Sequence, residues 1–172
     1  MSNFEGSEFQ GKVVAITGAG NGLGRSHAHE FAKRGAKVVV NDLGGSVDGT
    51  GSGDAADLVV KEIEEMGGTA IANKGSVSDR TGAKSIVDDA VSGFGRLDIL
   101  INNAGIGAGG DIESCDLETW EKVHKVDLDS VFFGCKFSLP LMRKSGNGSI
   151  INISSISGIV AGWNTAAYNS SK

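Results

Sequence analysis

One proline in 172 residues, two cysteines, no excess of positive charge and no apolar run of membrane length are the shortages of this chain, and each removes an explanation. Cys115 and Cys135 are isolated, with no C-x-x-C, so a reducing compartment and two buried or inert thiols are expected, neither of them a nucleophile. Sixteen Lys plus Arg against twenty-one Asp plus Glu give a net charge of -5, and no basic stripe offsets it, which argues against a nucleic-acid partner. No stretch approaches the roughly 20 apolar residues of a membrane helix. The first ten residues are polar and acidic rather than basic then apolar, so no secretory signal is expected. The last three (SSK) are not the Ser-Lys-Leu peroxisomal address, and a cytoplasmic location is the default expectation. His27 and His29 point to different sides of one helix and His124 is alone, which leaves no metal site.

What the chain has instead is glycine: 27 residues, clustered between apolar runs. The cluster that organises the rest is residues 17–24 (TGAGNGLG). Residues 12–17 (KVVAIT) form a short β-branched strand, and residues 23–34 have helical spacing, with Leu23, His27, Ala28 and Phe31 near one face. A strand entering and a helix leaving make a phosphate cradle rather than a hairpin or a linker. Residues without Cβ let the backbone approach a pyrophosphate, and the helix start offers free N–H groups at the positive end of its dipole. Glycine at 18, 22 and 24 is not G-x-G-x-x-G, and no Lys-Ser or Lys-Thr follows as a P-loop requires.

Repeated βα units follow. Gly35 caps the first helix, and residues 37–41 (KVVVN) form a second strand ending at Asp42. A carboxylate there can accept hydrogen bonds from both adenosine ribose hydroxyls and would repel a 2′-phosphate, so NAD is favoured over NADP. Residues 43–53 read as a flexible glycine-rich insertion. Asp54 is expected to cap a helix to Met66, with Ala55, Leu58, Val59 and Ile63 buried. A third strand at 69–73, a helix at 79–94 and a fourth strand at 97–102 come next. The fourth strand leads into Asn102-Asn103-Ala104-Gly105, where amides and small residues allow a flat ring or a ribose to approach the backbone. A long helix at 117–144, bent near Gly134 and Pro140, carries an aromatic stripe suited to core or subunit contact. Residues 149–153 (SIINI) form the fifth strand.

Beyond that strand stand Ser154, Ser155, Tyr168 and Lys172. Tyr168 and Lys172 are four residues apart, one helical turn, so the ammonium can stabilise a phenolate. Such a tyrosine exchanges a proton with an alcohol or ketone oxygen that the Ser155 hydroxyl also holds. Taken in order, Thr17-Gly18-x-x-x-Gly22-x-Gly24, Asn102-Asn103-Ala104-Gly105, Ser155 and Tyr168-x-x-x-Lys172 resemble the short-chain dehydrogenase/reductase family. The resemblance implies an α/β doubly wound parallel sheet, a nicotinamide cofactor and oxidoreduction of a carbonyl or secondary alcohol. It implies Tyr168 as acid/base, Ser155 holding substrate, and Lys172 tuning Tyr168 and binding the nicotinamide ribose. Thr17, Gly18, Asn21, Gly22, Leu23, Gly24, Asp42, Asn103, Ala104, Gly105, Tyr168 and Lys172 would contact the cofactor.

Within that family, residues 38–45 (VVVNDLGG) and the insertion resemble the hydroxyacyl-CoA dehydrogenase part of peroxisomal multifunctional enzymes of type 2. Residues 120–134 and 149–172 are more similar to secondary-alcohol and hydroxysteroid dehydrogenases, so the substrate class stays open among these. The chain departs from the family pattern in three places. Asp127 matches a helix position that is commonly Asn, and is expected to draw charge from Lys172 and weaken activity. Ser76 matches an Asp that often meets the adenine amine. Family members also continue past Lys172, so a single domain lacking its substrate-binding part is expected, whose 172 residues alone do not catalyse efficiently. The implied partners are a small-molecule substrate and a second copy, as a homodimer or homotetramer; the alternative is an inactive NAD-binding module.

Overall fold

The computed structural model describes residues 8–44 and 53–172, so most of the expected insertion lies outside the described residues. Five strands, β1 (Val13–Thr17), β2 (Lys37–Asn41), β3 (Thr69–Asn73), β4 (Ile99–Asn102) and β5 (Ser149–Asn152), form one sheet in the order β3-β2-β1-β4-β5. Every pairing is parallel. The winding reverses between β1 and β4, which opens a crevice at the carboxyl ends of the strands, where open α/β sheets bind ligands.

Parallel strands covered on both faces need apolar side chains at successive positions, and β1 (VVAIT) is buried at all five. Alternation then sorts its residues between two cores. Val14 and Ile16 join Val38, Val40 and the helices α1 (Gly22–Lys33) and α2 (Ala55–Glu65) on one face. Val13 and Ala15 join Val39, Leu100 and the helices α3 (Arg80–Phe94) and α5 (Ser130–Ser145) on the other. Ile16 is wholly buried, and truncating such a side chain to Ala costs about 2–5 kcal/mol.

Several local expectations are corrected. α1 buries Gly24, Ala28 and Ala32, which follow one another at one-turn spacing, while Leu23 is exposed because it stands one residue round the helix from that stripe. α2 buries Ala56, Val59 and Ile63, leaving Leu58 outside. Asp54 flanks α2 without capping it and bonds Lys74 Nζ at 3.0 Å instead. Asp79, by contrast, caps α3 by accepting the Gly82 N–H at 2.7 Å, and Gly95 ends that helix with φ +81°.

The long helix is interrupted earlier than expected. α4 (Leu117–His124) runs into a single π-helical turn (Lys125–Asp129) and then into α5, which passes through Gly134 and Pro140 as one helix. Gly134 serves packing rather than bending: a Cβ there would press into the Asn102 side chain from β4. A last short helix, α6 (Ala166–Ser171), is too short to stand alone. Ala167 docks it by packing with Val123 of α4 and Ile106, and the Ala166 N–H donates to the Gly110 carbonyl at 3.0 Å.

Candidate active site

The glycine turn and the loop after β4 are fastened to each other. Thr17 Oγ1 accepts the N–H groups of Asn103 at 2.9 Å and Ala104 at 3.0 Å, and Asn103 Nδ2 donates to the carbonyls of Thr17 at 2.9 Å and Gly18 at 3.1 Å. The polar side-chain atoms of Thr17 and Asn103 thus brace the cradle. Close approach explains the glycines: a Cβ on Gly18 would lie 2.8 Å from Ala104 Cα, and one on Gly24 would run into the Gly18 carbonyl oxygen. Gly22, at φ +52°, instead faces open space.

Above this brace lies a cavity of about 940 Å³. Gly18, Asn21, Gly22, Leu23 and Gly24 line its middle, and Asp42 one flank. Asn103, Ala104 and Gly105 line the other, continuing to Ile106 and Val126. Thr17 does not reach the cavity surface. Asp42 is held at the end of β2 by two backbone donors, Gly20 N–H at 2.8 Å and Gly44 N–H at 2.7 Å. Ser76 is on the Asp42 side of the cavity, with its hydroxyl 2.8 Å from that of Ser78.

Tyr168 and Lys172 share α6 and its end, with Lys172 Nζ 5.3 Å from the centre of the Tyr168 ring. The ammonium pairs with Asp127 Oδ2 at 3.1 Å, while Asp127 Oδ1 accepts the Ile106 N–H at 2.8 Å. Asp127 sits in the π-helical turn and is buried. Such turns recur at functional sites because the extra residue redirects a side chain. Gly105 joins this cluster to the cavity, since a Cβ there would stand 2.8 Å from Lys172 Nζ. Ser155 begins a 3₁₀ turn and accepts the Ser157 N–H at 3.2 Å, and Ser154 Oγ donates to the Lys172 carbonyl at 3.0 Å. Tyr168, Ser155 and Lys172 are not among the cavity-lining residues; Gly105 and Ile106 stand between.

Sequence reasoning passed over two features. One is the π-helical turn. The other is a row of asparagines: β2, β3, β4 and β5 all end in Asn, and these pair across the sheet, Asn41 with Asn73 and Asn102 with Asn152. The repeated terminal Asn in KVVVN, TAIAN, ILIN and SIIN was the available signal. Both cysteines are free and half-buried, and Asn102 Nδ2 donates to Cys135 Sγ at 3.8 Å. Among the described residues no group of three metal-ligating side chains exists, and no helix is long and apolar enough to cross a membrane.

The family described as short chain dehydrogenase matches residues 12–172, and the chain belongs to that family. It is 44% identical over 174 residues to the peroxisomal multifunctional enzyme type 2 of Drosophila melanogaster, covering 100% of this chain and 29% of that protein. A cyclohexanol dehydrogenase of an Acinetobacter species is 37% identical over 173 residues, covering 100% of this chain and 66% of the relative. Among solved structures, a 7α-hydroxysteroid dehydrogenase complexed with NADH and 7-oxo glycochenodeoxycholic acid superposes with a TM-score of 0.87 at 33% identity. That match covers 99% of this chain and 64% of the other. The chain therefore spans less than a third of the insect relative and about two thirds of the other two.

Proposed function

We propose that this chain binds NAD and transfers a hydride between it and a secondary alcohol or ketone. The observation that carries the reading is the cavity running from the carboxylate of Asp42, over the glycine cradle, to Gly105, with Lys172 and Tyr168 just behind Gly105. Its shape and donors suit a dinucleotide: free backbone at Gly22 and the N-terminus of α1 for the pyrophosphate, and an acid for the adenosine ribose. Asp42 favours NAD over NADP, because a 2′-phosphate would meet a carboxylate. When bound, NAD supplies the hydride acceptor. The chain's own residues do the rest. Tyr168 takes the proton of the alcohol oxygen, Lys172 stabilises the phenolate form with its charge, and Ser155 donates a hydrogen bond to the same oxygen.

Hydroxysteroid and small-alcohol substrates are the classes that two relatives' names support, and the hydroxyacyl class rests on the resemblance carried by residues 38–45. A homodimer or homotetramer through α5 fits the exposure of Phe132 and Leu139 on that helix. The cytoplasmic expectation competes with a peroxisomal one, since relatives are named as peroxisomal enzymes. Imaging a tagged chain separates the two.

The test is NADH formation at 340 nm with a panel of secondary alcohols, alongside a titration of NADH fluorescence. Tyr168→Phe should abolish turnover while changing the NADH dissociation constant far less. A second reading, an NAD-binding module without chemistry, is favoured by the Asp127 carboxylate drawing on Lys172. Binding of NADH with no turnover on any alcohol would select it.

A further inference from the structure

We propose that Asn41, Asn73 and Asp89 form a directed hydrogen-bond relay that positions the adenosine-side wall of the cavity. The idea rests on the NAD reading above. The sheet order places β3 and β2 on one side of the glycine turn and β4 and β5 on the other, so the wall that follows β3 lies on the Asp42 flank. That wall is Gly75, Ser76, Val77 and Ser78.

Each amide in the relay has only one workable orientation. Asp89 on α3 is a pure acceptor, so the group 2.6 Å from its Oδ2 is Asn73 Nδ2, which also donates to Ser85 Oγ at 3.1 Å. Asn73 Oδ1 then faces outward and accepts from Asn41 Nδ2 at 2.8 Å and from the Gly75 N–H at 3.0 Å. Asn41 Nδ2 completes the grip by donating to the Gly75 carbonyl at 2.8 Å. Both polar groups of one residue in the wall are therefore clamped by buried side chains from two strands. Gly75 is pressed so close to α3 that a Cβ would stand 2.5 Å from Ser85 Oγ, and a Cβ on Gly82 would collide with the Ser76 backbone. The wall has little freedom, and its place is set by which atom of Asn73 points at Asp89. The three residues are positioning residues: only Asn41 among them borders the cavity, and none is assigned to the reacting atoms.

The polarity of the relay supplies the test. Asn73→Asp keeps size but sets an acceptor against Asp89, so the wall should lose its register. Adding Asp89→Asn reverses the bond, with Asn donating to Asp, and restores the outward-facing acceptor for Asn41 and Gly75. The full chain and its variants are titrated with NADH and with reduced nicotinamide mononucleotide, which lacks the adenosine half. Asn73→Asp should weaken NADH about tenfold, the scale of one or two lost hydrogen bonds, and leave the mononucleotide unchanged. The double variant should recover most of the NADH affinity. Equal weakening of both ligands, or no recovery in the double variant at matched thermal stability, overturns the relay. If Asn73→Asp does not fold, Asp89→Leu alone, which removes the acceptor for Asn73 Nδ2, is titrated in the same way, and unchanged NADH affinity there overturns it too. Failure of the wild-type chain to bind NADH would instead strike at the NAD reading itself.

Discussion

Lys172 Nζ lies 3.1 Å from Asp127 Oδ2, in an ion pair whose two side chains are 8% and 0% exposed. The carboxylate has a second duty, accepting the Ile106 N–H at 2.8 Å, so one buried acid ties the π-helical turn, the loop after β4 and the end of α6 together. In the proposed mechanism it competes with Tyr168 for the influence of the ammonium.

That competition has a kinetic consequence. Asp127→Asn keeps an acceptor for Ile106 and removes the charge, so turnover per folded molecule should rise. Stability should fall, by about 3 kcal/mol, because a buried lysine loses its partner. Steady-state rates normalised to the folded fraction, with urea unfolding alongside, measure both. A lower turnover per folded molecule would refute the competition.

Asp42 is the proposed determinant of cofactor choice. Asp42→Ala removes the acceptor for the ribose and the brace on Gly20 and Gly44, and should weaken NADH about 10- to 100-fold, the worth of one or two charge-assisted bonds. NADPH should be affected less, since the same change removes a repulsion. Paired fluorescence titrations decide it, and an undiminished preference for NADH would show that Asp42 does not set selectivity.

Gly24→Ala should be worse than an ordinary helix substitution. Its Cβ would meet the Gly18 carbonyl oxygen and come within 2.9 Å of Ala19 Cα, both backbone atoms that cannot swing aside. Loss of NADH binding together with a lower Tm is the expected result. Gly22→Ala, where the added carbon meets open space, should fold more nearly normally despite its φ of +52°.

Asp98 links acid stability to the base of β1. Burial pushes its carboxyl up, but the Arg96 guanidinium, the Val13 N–H and the Lys12 ammonium together outweigh that and hold it below the usual carboxylate range. A group lowered on folding adds stability that is complete above its unfolded value of about 3.9 and is lost as pH falls through the folded value. Asp98→Asn should therefore lower stability near neutral pH and flatten its decline on acidification. Urea midpoints across that range measure this; an unchanged slope would show that Asp98 contributes nothing.

Much of the architecture was readable because its signals are local. β-branched runs such as KVVVN fill strands that are buried on both faces, and Asp79 and Gly95 mark the ends of α3 through bonds made within a few residues. Burial within helices was less readable. Leu23 and Leu58 are apolar yet exposed, because the covered stripes run through Gly24, Ala28 and Ala32 and through Ala56, Val59 and Ile63, each one residue round the helix from the leucine, and only the tertiary packing selects which stripe faces the sheet. The π-helical turn left no trace in the spacing, since a helical pattern continues through residues 117–145 and the inward pull on Asp127 comes from Ile106 and Lys172, distant in sequence.

The candidate site divides in the same way. By itself the sequence determined the strand-turn-helix cradle, the acid after β2 and the one-turn spacing of Tyr168 and Lys172, since each depends on residues within a turn or two of one another. Tertiary structure alone decided that Asp127 captures Lys172, that Thr17 and Asn103 lock cradle to loop, and that Asn41 and Asn73 clamp Gly75. Those contacts depend on strand order and register, which bring together buried polar groups that must find partners on neighbouring elements.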